Sequence, residues 1–255
     1  MTPSQPLCGR WKGKPMPTHF WRGQWQGRQP ASPTHQRARE IVRPTGGILR
    51  GFVPSRKNGR LVHHEGLLER DAITLFEAHH RVAQYREQPI TLQYPDGSRL
   101  RRYTPDFEVI LETGEALLVE IKPDRSLQDP EVRHKLQRIS EHLIRMGQPF
   151  VVLSSSVIRR EPRLSNLRQI LQQAPHVLPT RMAAEIALRP RLQRFPMALA
   201  EARKVFIGAG ACPVVLLLMG FLTCELEQPL TSATLLHLTS ETNHEWFRLS
   251  QAHDL

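Results

Sequence analysis

Between residues 89 and 153, short apolar runs alternate with turn and cap signals. This pattern narrows the fold class more than any other stretch of the chain. Pro89–Tyr94 alternates apolar and polar residues and reads as a strand. Pro95-Asp96-Gly97 reads as a hairpin turn, and Arg99–Tyr103 as the returning strand. Phe107–Leu111 is a further strand, Glu112-Thr113-Gly114-Glu115 its turn, and Ala116–Lys122 the next. On that last strand Leu117, Val119 and Ile121 share one face, and Leu118, Glu120 and Lys122 the other. Asp129-Pro130 then opens a helix, with an acid at the cap and proline at the first position. Val132, Leu136, Ile139, Leu143 and Ile144 form its stripe, and Gly147 closes it. Pro149–Leu153 is a buried strand ended by Ser154-Ser155-Ser156. Upstream, residues 65–82 read as a helix, with Leu68, Ala72, Leu75 and Phe76 on one face. Helix, antiparallel strands, helix and strand make an α/β fold: a mixed sheet flanked by helices.

Beyond residue 160 the pattern loosens. Residues 161–182 are polar and broken by Pro162, Pro175 and Pro179, although Leu164–Leu171 has the pattern of one helix. A linker is expected there, between an α/β domain over 48–160 and a small, mainly helical, winged-helix-like domain over 183–255. In the latter, Ala183–Leu188, Pro196–Phe206 and Val214–Leu218 read as helices, and Phe221–Leu226 as a strand. Pro229–Leu238 reads as a turn leading into another helix. Val205–Leu222 carries no charge over 18 residues, but Gly208, Gly210, Pro213 and Gly220 interrupt it. A short buried helix from Pro213 fits better than a membrane span, and no membrane contact is expected.

Charge is distributed unevenly. Residues 1–60 hold 12 Lys and Arg against a single acid, Glu40, whereas residues 61–255 balance 23 bases with 23 acids. Residues 1–47 also carry seven prolines and Trp11, Trp21 and Trp25, with no sustained period. They read as a basic arm that orders on a partner or serves as a solubilising tail. A neutral body with a cationic segment points to a polyanion, most simply nucleic acid. Arg43, Arg50, Arg56, Lys57 and Arg60 are candidate phosphate contacts in that segment. Cys8, Cys212 and Cys224 have no CxxC spacing, which argues against a disulfide framework or a structural zinc site. The N-terminus has no apolar core segment, so no signal peptide is expected.

The chemistry gathers at Thr104-Pro105-Asp106-Phe107 and Glu120-Ile121-Lys122. Asp106 opens one strand of a hairpin; Glu120 and Lys122 lie two apart near the end of its partner, on one side. Two carboxylates and an ammonium at one place are costly unless something charged joins them. A divalent cation relieves the repulsion between the acids, and Mg²⁺ needs only one or two carboxylates beside water and phosphate oxygens. The ammonium can orient an attacking water or offset charge on a phosphate. An ordinary surface salt-bridge pattern competes with this reading. Glu65, one turn before Glu69, is an alternative to it, while Glu108 and Glu112 suit solvated positions. His63-His64 and His79-His80 lack the partners of a zinc frame, and Gly208-Ala209-Gly210 is a fragment of a dinucleotide fingerprint. Arg99, Arg101 and Arg102 form either a solvated face or phosphate contacts beside the site.

The order Pro-Asp, spacer, acid-x-Lys resembles the PD-(D/E)xK nuclease superfamily. A helix carrying Glu69, then Arg86-Glu87-Gln88-Pro89, Thr104-Pro105-Asp106-Phe107 and Glu120-Ile121-Lys122-Pro123, resembles the TnsA family of heteromeric bacterial transposases. Gly220–Leu226 with Pro229-Leu230 is similar to the end of that family. The resemblance implies a restriction-endonuclease-like catalytic domain. Glu69, Asp106, Glu120 and the Ile121 carbonyl would hold Mg²⁺, with Mn²⁺ able to substitute and two ions in all, and Lys122 would be the catalytic lysine. It implies cutting at the 5′ ends of a transposon, double-stranded DNA as substrate, a DDE transposase partner and an AAA+ ATPase regulator. Residence in the bacterial cytoplasm, at the nucleoid when active, goes with it. A catalytically inert DNA-binding and assembly subunit and a stand-alone restriction-type nuclease are the competing functions.

Overall fold

The computed structural model describes residues 37, 50–239, 246–250 and 255. The first elements among the described residues are a ribbon of β1 (Arg50–Ser55) and β2 (Arg60–Glu65), followed by helix α1 (Leu67–Ala78) and strand β3 (Val82–Glu87). A second ribbon pairs β4 (Leu92–Asp96) with β5 (Arg99–Tyr103). Then come β6 (Phe107–Leu111), β7 (Ala116–Lys122), the short α2 (Asp124–Leu127), α3 (Pro130–Arg145), β8 (Phe150–Ser154) and α4 (Ser155–Ile158). The remainder comprises α5 (Arg163–Gln173), α6 (Arg181–Leu188), a 3₁₀ turn (Arg189–Arg194), β9 (Met197–Ala198), α7 (Leu199–Val205), α8 (Pro213–Leu218), β10 (Leu222–Cys224) and β11 (Leu235–Leu238).

The central sheet has four strands in the order β3-β6-β7-β8. The first two pairings are antiparallel and β7–β8 is parallel, so the sheet is mixed. The period-two alternation of β7 divides the molecule into layers. Leu117, Val119 and Ile121 enter the main core with Ile73 and Phe76 of α1. Leu118 packs on the other face with Ile139 and Leu143 of α3, joined by Leu92, Tyr94 and Tyr103 of the second ribbon. Each fully buried side chain of this size contributes roughly 1.5–3 kcal/mol. The start of α3 falls at the expected residue: Asp129 accepts from the Glu131 N–H at 2.8 Å, a cap worth roughly 1 kcal/mol. Gly147, at φ +68°, supplies the left-handed residue that releases the chain toward β8.

Several expectations need correction. Helix α1 stops at Ala78, and residues from Val82 form a sheet strand rather than the last helical turn, because Val82 and Tyr85 fill the core opposite β6. The ribbon over 50–65 has no counterpart among the elements expected from the sequence. The 92–103 hairpin pairs with itself and stands off the main sheet over α3. Ile144, expected in the α3 stripe, is 70 % exposed. The expected linker contains α5, whose Leu164, Leu167 and Ile170 are buried in the same cluster as α1. Asn166 ties α5 to the last region through the carbonyls of Leu226 and Gln228 and the Leu230 N–H. Residues 196–206 begin as a strand, not a helix. Residues 235–238 are also a strand: β11 lies between β10 and β9 in a three-stranded antiparallel sheet. The stretch from Pro213 is the expected short buried helix, and no helix among the described residues is long and apolar enough to cross a membrane. The readings on the arm 1–47 lie outside the described residues, Arg37 excepted.

Candidate active site

Pairing of β6 with β7 puts Phe107 opposite Val119, so the residue before β6 and the last residues of β7 meet at one end of the sheet. Asp106 Oδ2 accepts from the Ile121 N–H at 2.8 Å and lies 4.0 Å from Lys122 Nζ. The Lys122 ammonium also meets Glu120 Oε1, and it donates to the Ile121 carbonyl at 3.3 Å. The ammonium thus touches oxygens of Asp106, Glu120 and Ile121, three of the four groups expected to hold a cation. Glu120 is 3 % exposed, and Tyr103 Oη donates to its Oε2 at 2.6 Å.

Glu69, in the first turn of α1, accepts from the Glu65 N–H at 2.6 Å. Its charge reaches both Asp106 and Lys122. The alternative acid, Glu65, pairs with Arg50 at 3.6 Å. Glu108 pairs with the exposed Arg86 across the sheet, and Glu112 is exposed in its turn.

Electrostatics at this end of the sheet are strained. Burial, then Glu120, then Glu69 push the Asp106 carboxyl well above the usual range, against the pull of Lys122 and the Ile121 N–H. Burial draws Lys122 down, but Glu120 and then Asp106 outweigh it and hold the ammonium above its ordinary value. Acids forced together in this way are the donor chemistry of a hard cation. Among the described residues no set of three or more His, Cys, Asp or Glu forms a ready-made metal cage. Mg²⁺, however, takes one or two carboxylates and fills its shell with water and phosphate oxygens. The oxygens of Asp106 and Glu120, the Ile121 carbonyl and the nearby Glu69 fit that demand.

The arginine candidates divide sharply. Arg56 caps α5 through the carbonyls of Leu171, Ala174 and Pro175. Lys57 donates to the His79 and Val82 carbonyls, and burial lowers its pKa to about 8 despite Glu77 and Glu112. Arg60 holds the buried Glu87 at 2.7 Å, with Arg37 on the same carboxylate at 3.2 Å. These three side chains, expected at phosphate, are spent on the fold instead, and Arg50 is engaged with Glu65. Arg43 lies outside the described residues. By contrast Arg99, Arg101 and Arg102 are all exposed on β5; among the described residues only Arg101 of the three has an internal ion pair, with Asp96.

Residues that the pattern did not single out complete the surroundings. Asp71, two residues after Glu69, is 2 % exposed and accepts from Arg159 at 2.7 Å and Arg168 at 2.6 Å, which ties α1 to α4 and α5. Asp124 joins the ends of β7 and β8 through Ser155 and Ser156, whose hydroxyls hold its carboxyl below the usual range. Neither had a local signal, since both partner sets come from distant elements. Of the paired histidines, His79 is a packing group: it is 3 % exposed, hydrogen bonds the Phe247 carbonyl at 3.1 Å and lies edge-on to its ring.

Residues 79–155 match the family described as TnsA-like endonuclease N terminal. Over that segment the chain is similar to TnsA-like endonucleases. That segment is under a third of the chain and contains Asp106, Glu120 and Lys122, but not Glu69. Its α/β mixed sheet flanked by helices is the restriction-endonuclease-like architecture expected of it. No curated protein matches the chain significantly.

Proposed function

We propose that this chain is the endonuclease subunit of a heteromeric transposase. It would hydrolyse DNA phosphodiesters at the 5′ ends of the element while a DDE transposase acts on the 3′ ends. The observation that carries the reading is the convergence of Asp106, Glu120 and Lys122 at one end of adjacent strands, inside the segment that matches the TnsA-like endonuclease family. An AAA+ ATPase regulator and residence at the bacterial nucleoid accompany this reading through the resemblance described above.

Asp106, Glu120, the Ile121 carbonyl and Glu69 would hold one or two Mg²⁺ ions, with Mn²⁺ able to substitute. When bound, the metal supplies Lewis acidity toward the phosphate and lowers the pKa of water. The protein groups have separate tasks. Lys122, kept protonated by its two acids, donates toward the phosphate oxygens or the attacking water, where negative charge grows. The Ile121 N–H fixes Asp106 by one oxygen and leaves Oδ1 for the site. The Asp71 pairs with Arg159 and Arg168 hold the start of α1, which carries Glu69, to the end of α4 and to α5. Arg99, Arg101 and Arg102 would contact the DNA backbone beside the site.

The test is Asp106→Ala in a complex reconstituted with a partner DDE transposase. Cutting of the 5′ strand should fall on the order of a thousandfold, the scale of losing a principal charge-stabilising group. Cutting at the parent rate would leave the inert-subunit reading standing. Mg²⁺-dependent cutting by the purified chain with no partner would favour the stand-alone nuclease.

A further inference from the structure

Strand β5 ends on Tyr103, which is buried although the four residues before it, three of them arginines, are exposed. Tyr103 is 4 % exposed, and its hydroxyl reaches Glu120 Oε2 although β5 is paired with β4 and not with the sheet that carries Glu120. The other oxygen of that carboxylate meets Lys122. Glu120 is therefore held at both oxygens by donors from two different elements. A glutamate side chain has three rotatable bonds, and one donor leaves its carboxylate free to swing; two donors set its plane.

Tyr103 is itself fixed. Its ring stands edge-on to Phe150 of β8, with centroids 6.2 Å apart and planes at 89°. Lys135 of α3 places its ammonium 5.7 Å from the ring centre, and Leu118, Ile139 and Leu143 pack in the same cluster. The hydroxyl thus has little freedom to leave Glu120.

We propose that Tyr103 is a positioning residue, which holds the Glu120 carboxylate in the orientation that offers it, with Asp106, to a divalent cation. The proposal rests on the endonuclease reading above. Tyr103 does not touch the reacting atoms; it acts through Glu120. Partners that orient a ligating side chain typically change metal affinity by about 10- to 100-fold when removed.

The probe is Mn²⁺ alone, titrated calorimetrically into the purified full-length chain. Tyr103→Phe keeps the ring and its packing and removes only the hydroxyl. It should weaken Mn²⁺ binding by about 10- to 100-fold, while affinity for a DNA duplex, read by fluorescence anisotropy, stays unchanged. Where Tyr103→Phe also lowers the melting temperature, the Glu120→Ala background decides. There Tyr103→Phe should cost no further Mn²⁺ affinity, because the carboxylate it orients is gone. An equal, additive loss in that background would mean that Tyr103 merely supports the fold, and would overturn the proposal. Parent-like Mn²⁺ binding by Tyr103→Phe would overturn it too. Failure of the underlying reading looks different: Asp106→Ala would then bind Mn²⁺ as the parent does, or the parent would bind none.

Discussion

The two antiparallel ribbons, β1–β2 and β4–β5, are alike in sequence chemistry and opposite in use. Both stand outside the four-stranded sheet, and both carry closely spaced cations. In the first, Arg56, Lys57 and Arg60 turn inward to α5 carbonyls, to the His79 and Val82 carbonyls, and to Glu87. In the second, Arg99, Arg101 and Arg102 stay exposed while Tyr94 and Tyr103 go inward. The difference lies in the neighbours. Glu77, buried on α1, and Glu87, buried on β3, face the first ribbon. The second ribbon lies over the apolar stripe of α3, and the buried acid it meets, Glu120, is taken by Tyr103 and Lys122 rather than by the arginines. A run of arginines in a sequence therefore states a charge, and the acids of adjoining elements decide whether that charge holds the fold or remains for a ligand.

The largest effect should come from removing an acid that faces the first ribbon. Glu87→Ala leaves the Arg60 guanidinium, 9 % exposed, without its main counter-charge. Breaking a buried pair from one side typically costs about 3–5 kcal/mol, readable as a lower urea midpoint. Asp96→Ala, which strips the contacts with the exposed Arg101 and His134 from the second ribbon, should lower the midpoint far less. Equal losses would erase the contrast between the ribbons.

A smaller effect should appear with pH. Lys57 has its pKa lowered from 10.5 to about 8 by burial, so the folded chain binds its proton less tightly than the unfolded chain does. Between those two values unfolding takes up a proton, and stability gains from this residue as pH rises. Below about pH 8 its cost is constant. Comparing parent with Lys57→Met from pH 7 to 9.5 isolates the contribution, expected at about 1–2 kcal/mol across that span. A parent and variant whose stabilities keep a constant difference would show that Lys57 is not held in the interior.

Legibility follows the same divide between local pattern and distant partner. β5, β6, β7 and the start of α3 are readable because period two, turn residues and the Asp129-Pro130 cap all act within a few positions. Asp106, Glu120 and Lys122 are legible for that reason: strand parity and a short hairpin bring them together. Val82 misleads because it lies seven residues after Leu75, in phase with the helical stripe, with no breaker at His79-His80. Leu235-Leu236-His237-Leu238 has helical propensity, overridden by pairing on both sides with β10 and β9. Tyr103 gives no sign at all, because its partner belongs to another sheet.

The smallest change in stability, and the sharpest test of the comparison, belongs to Arg99→Ala with Arg102→Ala. Among the described residues neither side chain is in an internal ion pair, and both are exposed, so the double variant should unfold within about 0.5 kcal/mol of the parent. Its DNA binding should nevertheless weaken, and the slope of log K against log salt should become shallower by about 0.9 for each phosphate no longer neutralised. The matched control is Arg56→Ala, which should lower stability by releasing the α5 carbonyls and leave the salt slope unchanged. If the salt slope moved with Arg56 and not with Arg99 and Arg102, the assignment of the two ribbons would be reversed. The DNA track would then run along β1–β2, on the α1 side of the sheet, and away from Tyr103 and Glu120.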